Sequence, residues 1–230
     1  MTAERVWAIV AAAGDGRRLG QDLPKAFVKL GERPLIAHAI ELFELHPRVE
    51  RMVVVVPVGW EEPTALLADE LAVGKVAVSV AGGATRALSV AAGLAEVPGA
   101  ATAILVHDAA RPFASEEVVD RVLDALAEAD GAVPGVPVAD TVKRVGGGAV
   151  LETLDRGELR AVQTPQAFRA ETLRRAYAGA PEDLASATDC AQLVERAGGR
   201  VVVVDGEAAN AKITGPDDLA RAEAHVGGRA

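Results

Sequence analysis

Short runs of Val, Ile, Ala and Leu alternate along the chain with longer stretches in which apolar residues recur every three or four positions. The runs at 6–12, 51–57, 76–80, 102–107, 132–138 and 200–204 predict strands. The stretches at 34–45, 61–71, 86–97, 115–129, 188–197 and 216–226 predict helices between them. Their ends carry local signals: Pro34 and Pro216 suit a first turn, Pro47 lies just past an end, and Gly198-Gly199 closes another helix. Ser115 reads as an N-cap, with Glu116 and Glu117 in the turn that the helix dipole favours for anions. Strands that are almost wholly apolar are covered on both faces, so this βαβα order predicts an α/β protein with a buried, largely parallel sheet. One segment breaks the rhythm. Residues 140–144, Gly146-Gly147-Gly148 and 149–153 read as two short strands around a glycine turn. Such a β-arm, at about 138–158, buries little of itself; its expected companion is a second copy of the chain, the alternative being a solvent-exposed hairpin with no partner.

Composition narrows this picture. The chain has 230 residues, half of them hydrophobic but only 3% aromatic, so the core must be built from Val, Ala and Leu. The length suits a single domain, 1–230, with the arm as its one excursion. No uninterrupted apolar run is long enough to span a bilayer, and the N-terminus enters a strand without a signal-peptide pattern, so a cytoplasmic protein with no membrane partner is expected. A net charge of −9 argues against a nucleic-acid partner but leaves room for a small anion held by a local field. Cys190 is the one cysteine, which excludes an intrachain disulfide; it reads as a core or helix residue. The four histidines show no metal-ligand spacing.

The first strand feeds AAAGDGRRLGQDLPK (11–25). Ala12, Ala13, Gly14 and Gly16 allow close backbone approach and aim N–H groups at a ligand, while Arg17, Arg18 and Lys25 add positive charge. The spacing of Gly14, Gly16 and Gly20 is one residue too long for a dinucleotide fingerprint, and no Gly-Lys-Ser/Thr follows as a P-loop needs. A phosphate-binding loop of another kind remains.

Two more loops fall at predicted strand ends, where open α/β sheets bind ligands. GGATRALS (82–89) could lay a base or ribose on its glycines, with Ser89 as a hydrogen-bonding group; by itself it also reads as an ordinary strand-to-helix turn with Arg86 in the first turn. HDAARP (107–112) presents Asp108, either a ribose acceptor or a Mg²⁺ partner, since an unpaired carboxylate would repel phosphates. His107 should point into the body.

Together with DTVKR (140–144), DR (155–156), QTPQAF (163–168), ATD (187–189) and NAKIT (210–214), these segments resemble, in order and over nearly the whole chain, the 2-C-methyl-D-erythritol 4-phosphate cytidylyltransferase family. The resemblance implies a three-layer α/β/α nucleotidyltransferase fold, with a mostly parallel, mixed central sheet and a projecting β-arm. It implies transfer of a cytidylyl group from CTP to the polyol phosphate with release of pyrophosphate, aided by Mg²⁺. Arg18 and Lys25 would be the catalytic cations. Ala12, Ala13, Gly14, Gly16, Lys25, Gly82, Ala84, Ser89 and Asp108 would hold the nucleotide. Asp108, Arg111, Thr164, Thr188 and Lys212 would hold the acceptor, with Thr141 and Arg156 lent across a homodimer by the arm. The metal's protein ligands are left unassigned.

Three positions depart from the family's habit: Ala11 stands where proline is frequent, and Ala84 and Cys190 stand where acidic residues are frequent. A cytidylyltransferase for another polyol phosphate, such as ribitol 5-phosphate, would share the fold and the first loop. A non-catalytic nucleotide-binding module could keep the glycines but would have no need of Arg18 and Lys25.

Overall fold

A computed structural model describes residues 4–14 and 23–228. Its centre is β1 (Val6–Ala11), whose residues VWAIVA are almost entirely buried because the strand has a neighbour on each edge and a helical layer on each face. One edge pairs in parallel with β4 (Val49–Val56), which pairs in turn with β5 (Val76–Ala81). The other edge pairs in parallel with β6 (Ala103–Asp108). Beyond β6 lies β11 (Gln166–Arg169), antiparallel to β6 and also to β7 (Gly131–Pro137). The short β10 (Arg160–Val162) continues the line of β11 along the same edge of β7, and β12 (Val201–Asp205) closes the sheet in parallel on the far edge of β7. The sheet is therefore parallel but for this one reversed line, as the strand order β7-β11-β6-β1-β4-β5 records.

Alternation along the strands sends side chains into two cores. Ala8, Val10, Val54 and Val56 meet Ile36, Ile40 and Phe43 of α1 (Leu35–Leu45) and Val119, Val122 and Leu123 of α4 (Glu116–Asp124). Ile9, Val53 and Val55 meet α3 (Arg86–Glu96), α5 (Ala170–Ala176) and α7 (Cys190–Arg196) on the opposite face. Helix α2 (Glu61–Glu70) lies along β5, and α6 (Pro181–Ala185) is a single turn beside α3. A third, small core is formed where α8 (Pro216–Gly227) covers the β2 (Lys29–Leu30) and β3 (Arg33–Pro34) hairpin: Leu30, Leu35, Ile213 and Ala222 are buried there.

The arm forms, but its first strand, read over 140–144, begins three residues later and takes in the first glycine of the turn. β8 (Lys143–Gly146) and β9 (Ala149–Thr153) pair with each other in a two-stranded sheet of their own, and Gly146 belongs to the strand. Gly147 and Gly148 make the two-residue turn with φ of 57° and 80°, a left-handed pair that glycine adopts without Cβ strain. The helix read over 115–129 ends at Asp124 and tightens into a 3₁₀ turn, Ala125–Ala127.

Candidate active site

The strand order changes direction at β1: the chain proceeds outward through β4 and β5, then returns to the other side as β6. A crevice opens at the carboxyl ends there, as such switch points require. Backbone hydrogen bonds lock its rim, with Ala12 N–H donating to the Val55 carbonyl, Gly82 N–H to Val56 and Ala109 N–H to Ala11. The crevice holds about 540 Å³ and is lined by Ala12, Ala13 and Gly14, by Lys25, by the start of α3, and by Asp108 and Lys212. Lys25 opens a 3₁₀ turn, Lys25–Phe27, directly after Pro24. Gly16 and Arg18 lie outside the described residues.

The second loop is wound around Ser89. Its hydroxyl oxygen accepts the Gly83 N–H at 3.1 Å and donates to the Thr85 carbonyl at 2.9 Å, so Ser89 shapes the loop from within. Thr85 caps α3, taking the Leu88 N–H. Gly82 sits behind this wall, where a Cβ would come within 2.3 Å of the Ala13 Cβ. Ala84 lines the crevice in front.

Asp108 is not the unpaired carboxylate its position suggested. Oδ1 accepts Arg86 Nε at 2.8 Å and Oδ2 accepts Lys212 Nζ at 2.6 Å. Burial pushes the Asp108 carboxyl up, but the Arg86 and Lys212 charges outweigh it and hold it well below the ordinary carboxylate range. Arg86, left as a first-turn residue by its sequence setting, is thus part of the site; the signal missed was a charge at the end of a glycine loop facing a strand-end acid. The Asp108 N–H donates to Thr164 Oγ1 at 3.0 Å, and that hydroxyl meets His107 Nδ1 at 3.0 Å. His107 Nε2 faces the Arg111 carbonyl at 3.1 Å, so it carries the proton and Nδ1 accepts from Thr164. Burial pushes this imidazole down to about 4, which keeps it neutral. His107 points into the body, as its place at a strand end predicted.

Residues 6–228 match the family "IspD: 2-C-methyl-D-erythritol 4-phosphate cytidylyltransferase". The chain belongs to that family. It is 44% identical over 226 residues to the 2-C-methyl-D-erythritol 4-phosphate cytidylyltransferase of Rubrobacter xylanophilus, covering 96% of this chain and 95% of that one. The enzyme of the same name from Rhodococcus jostii is 48% identical over 223 residues, with 96% and 95% covered. The crystal structure of the Thermus thermophilus enzyme superposes with a TM-score of 0.79 at 39% identity, over 96% of this chain and 98% of that one.

Of the remaining positions drawn from the resemblance to this cytidylyltransferase family, Lys212 lines the crevice, while Arg111, Thr164 and Thr188 are not among its described lining residues. Lys212 sits on a segment bolted down from both sides: Asn210 Nδ2 donates to the Thr164 carbonyl at 2.9 Å, and the Ile213 N–H donates to the Ala110 carbonyl at 2.9 Å. Asn210 is fully buried and was quoted in the NAKIT motif without a role. Arg111 ties that segment to β10, donating to the Asn210 carbonyl at 2.7 Å and the Val162 carbonyl at 3.2 Å. Thr164 is buried beneath the crevice floor, beside a cis Thr164–Pro165 peptide. Thr188 is exposed just before α7, where Gln192 takes its N–H. Thr141 and Arg156 are exposed at the base of the arm, and Arg156 Nη1 donates across that base to the Ala139 carbonyl at 2.6 Å. Neither is among the described residues lining this chain's own crevice.

The described residues contain no cluster of three acidic, His or Cys side chains able to cage a metal. The crevice offers Asp108, whose two oxygens are already taken by cations. Among the described residues, that donor set fits a hard cation carried in on phosphate oxygens and water, with at most one protein carboxylate.

Proposed function

We propose that this chain transfers the cytidylyl group of CTP to 2-C-methyl-D-erythritol 4-phosphate, with Lys25 and Arg18 as catalytic cations, Mg²⁺ as cofactor, and an active site completed by a second copy of the chain. The observation that carries the reading is the crevice at the β1/β6 switch point. There the close-approach backbone of Ala12–Gly14, the Lys25 amine and the Arg86–Asp108–Lys212 group meet on a family fold built for this reaction.

An oxygen of the acceptor's phosphate attacks the α-phosphorus of CTP in line. The new P–O bond forms as the bond to the α,β-bridging oxygen breaks, and that electron pair leaves with pyrophosphate. No covalent enzyme intermediate is needed, so the protein's work is positioning and charge stabilisation. The Lys25 amine supports the negative charge that grows on the phosphate oxygens, and Arg18 adds to it. Ala12, Ala13, Gly14, Gly16, Gly82, Ala84 and Ser89 provide a backbone-rich wall for the nucleoside. Asp108 and Lys212 face the acceptor: the amine suits its phosphate and the carboxylate suits a hydroxyl. Arg111, Thr164 and Thr188 serve the acceptor in the same reading. When bound, Mg²⁺ neutralises triphosphate charge and holds its oxygens in one orientation. Thr141 and Arg156 of each copy serve the other copy's acceptor. In the described residues no helix is long and apolar enough to cross a membrane, and the enzyme acts in the cytoplasm on small soluble substrates.

The test is pyrophosphate release from CTP with 2-C-methyl-D-erythritol 4-phosphate, ribitol 5-phosphate or no acceptor, each with Mg²⁺ and with chelator. Release confined to the methylerythritol phosphate and to Mg²⁺ is expected. Release with ribitol phosphate instead would overturn the acceptor, and full activity in chelator would overturn the cofactor.

A further inference from the structure

Asp108 is held by two cations of different standing. Both cations line the crevice, but the Arg86 side chain is 24% exposed and the Lys212 side chain 40%. Arg86 is anchored a second time, with Nη1 3.4 Å from the Cys190 sulfur, which also receives the Tyr177 hydroxyl at 3.2 Å. Burial pushes the Cys190 thiol up, so this second partner is neutral. Arg86 Nη2 is buried with no hydrogen-bond acceptor among the described residues. Within them, the guanidinium charge therefore has one anion to answer, Asp108.

We propose that Arg86 is a positioning residue: it is the permanent counter-ion of Asp108, and Lys212 is the exchangeable one, released to the incoming acceptor phosphate. The inference rests on the cytidylyl-transfer reading above. An acceptor phosphate carries more charge than a shared carboxylate and draws the exposed amine towards itself. Asp108 then keeps its charge and its direction through Arg86 Nε, and Oδ2 is freed to accept a hydroxyl hydrogen. Without Arg86, Lys212 is the carboxylate's one strong neighbour, and the acceptor has to compete with a buried anion for it. CTP binding asks for no such exchange, so the two substrates respond differently.

Arg86→Gln, Arg86→Lys, Asp108→Asn and the double variant Arg86→Gln/Asp108→Asn are compared with wild type. KM and kcat for the acceptor come from pyrophosphate release, CTP affinity from calorimetry, and folding from circular dichroism. Arg86→Gln is expected to raise the acceptor KM about tenfold or more while the Kd for CTP moves less than about threefold. Arg86→Lys, which keeps the charge, should regain part of the loss. In the Asp108→Asn background, Arg86→Gln should add less than about threefold, because its effect passes through the carboxylate. Equal losses for CTP and acceptor, additive losses in the double variant, or a wild-type acceptor KM in folded Arg86→Gln would each overturn the proposal. Should Arg86→Gln fail to fold, Arg86→Lys decides: a raised acceptor KM with CTP affinity kept supports it, and a wild-type KM overturns it. Inactivity of the wild-type protein would strike the cytidylyl-transfer reading instead.

Discussion

Gly82 has a Cβ-sized space filled by other atoms: a methyl there would lie 2.3 Å from the Ala13 Cβ and 2.8 Å from Ser89 Oγ. Neither neighbour is the far end of a flexible chain, so Gly82→Ala must push the first loop and α3 apart. Overpacking of this kind costs about 1–3 kcal/mol. Denaturant midpoints should show that loss, and calorimetry should show CTP affinity reduced at least about tenfold; wild-type affinity would mean the wall is not a nucleotide surface. Lys25→Ala makes the complementary case, since it removes charge rather than packing. Its kcat, measured by pyrophosphate release on folded protein, is expected to fall by about 10²–10³, the scale of one lost electrostatic donor. His107 sets the acid response of stability. Its folded value, about 4, lies below the ordinary 6.5, so between those pH values the unfolded chain takes up a proton that the native chain refuses. Its stabilisation is intact above pH 6.5 and drains as pH falls towards 4, by roughly 3 kcal/mol in all. His38 is also lowered, by burial first and then by Arg33, and adds to the same slope. The comparison that isolates His107 is urea unfolding of wild type and His107→Gln across this range: the variant's slope should be shallower, and equal slopes would refute the assignment. Asp108 is depressed from 3.8, so its contribution is lost only at still lower pH.

At the scale of elements, what was legible in the chain depended on how locally each element is determined. All six strands read from apolar runs are present, shifted by at most two residues, because a valine-rich run covered on both faces needs no partner's identity to be recognised. The β11 line was not read: Gln166-Ala-Phe-Arg is too short to show alternation, and it becomes a strand because β6 and β7 leave an edge for it on either side. Helix α6, a single turn of five residues, is too short to show a 3.6-residue period, and α5, no longer than the α7 that was read, lacks a closing glycine pair like Gly198-Gly199. Of the first loop, Ala12, Ala13, Gly14 and Lys25 line the crevice, a placing legible because loop chemistry is local, while Gly16, Arg17 and Arg18 lie outside the described residues. The Arg86–Asp108–Lys212 group was not legible, because its members sit 22 and 104 positions apart and meet only when three loops converge. The small third core joins the Lys212 loop to the stretch that follows the first loop. Ile213, next to Lys212, packs with Leu30 and Leu35, which follow Lys25, under the cover of α8. Ile213→Ala should therefore loosen both stretches together, at a local cost of about 2–5 kcal/mol. Hydrogen exchange is expected to quicken in 210–214 and in 26–35 while β1 and β6 stay protected. Acceleration in only one of the two stretches would show that the third core does not couple them.

For the whole molecule the decisive question is what covers the arm. Among the described residues, β8 and β9 pair only with each other, and Val145, Val150 and Leu151 on them are 60–63% exposed, three apolar side chains close together on one two-stranded sheet. The same arm carries Thr141 at its root and ends at Arg156, neither of which lines its own crevice among the described residues. On the reading proposed above, each arm lies across a second copy, its apolar strands covered and Arg156 delivered to the other crevice. Leu151→Glu should then produce a monomer by sedimentation with its secondary structure intact and little pyrophosphate release. A stronger discrimination comes from mixing two inactive proteins, Lys25→Ala and Arg156→Ala. In a shared-site dimer made of one of each, one crevice carries both lesions and the other carries neither. Random exchange at equal amounts makes half of all dimers mixed, so about a quarter of wild-type activity should return. A crevice complete within one chain would carry one lesion in every copy, and mixing would return nothing. Subunit exchange, followed by mass spectrometry of isotopically distinct copies, separates that outcome from a failure to mix.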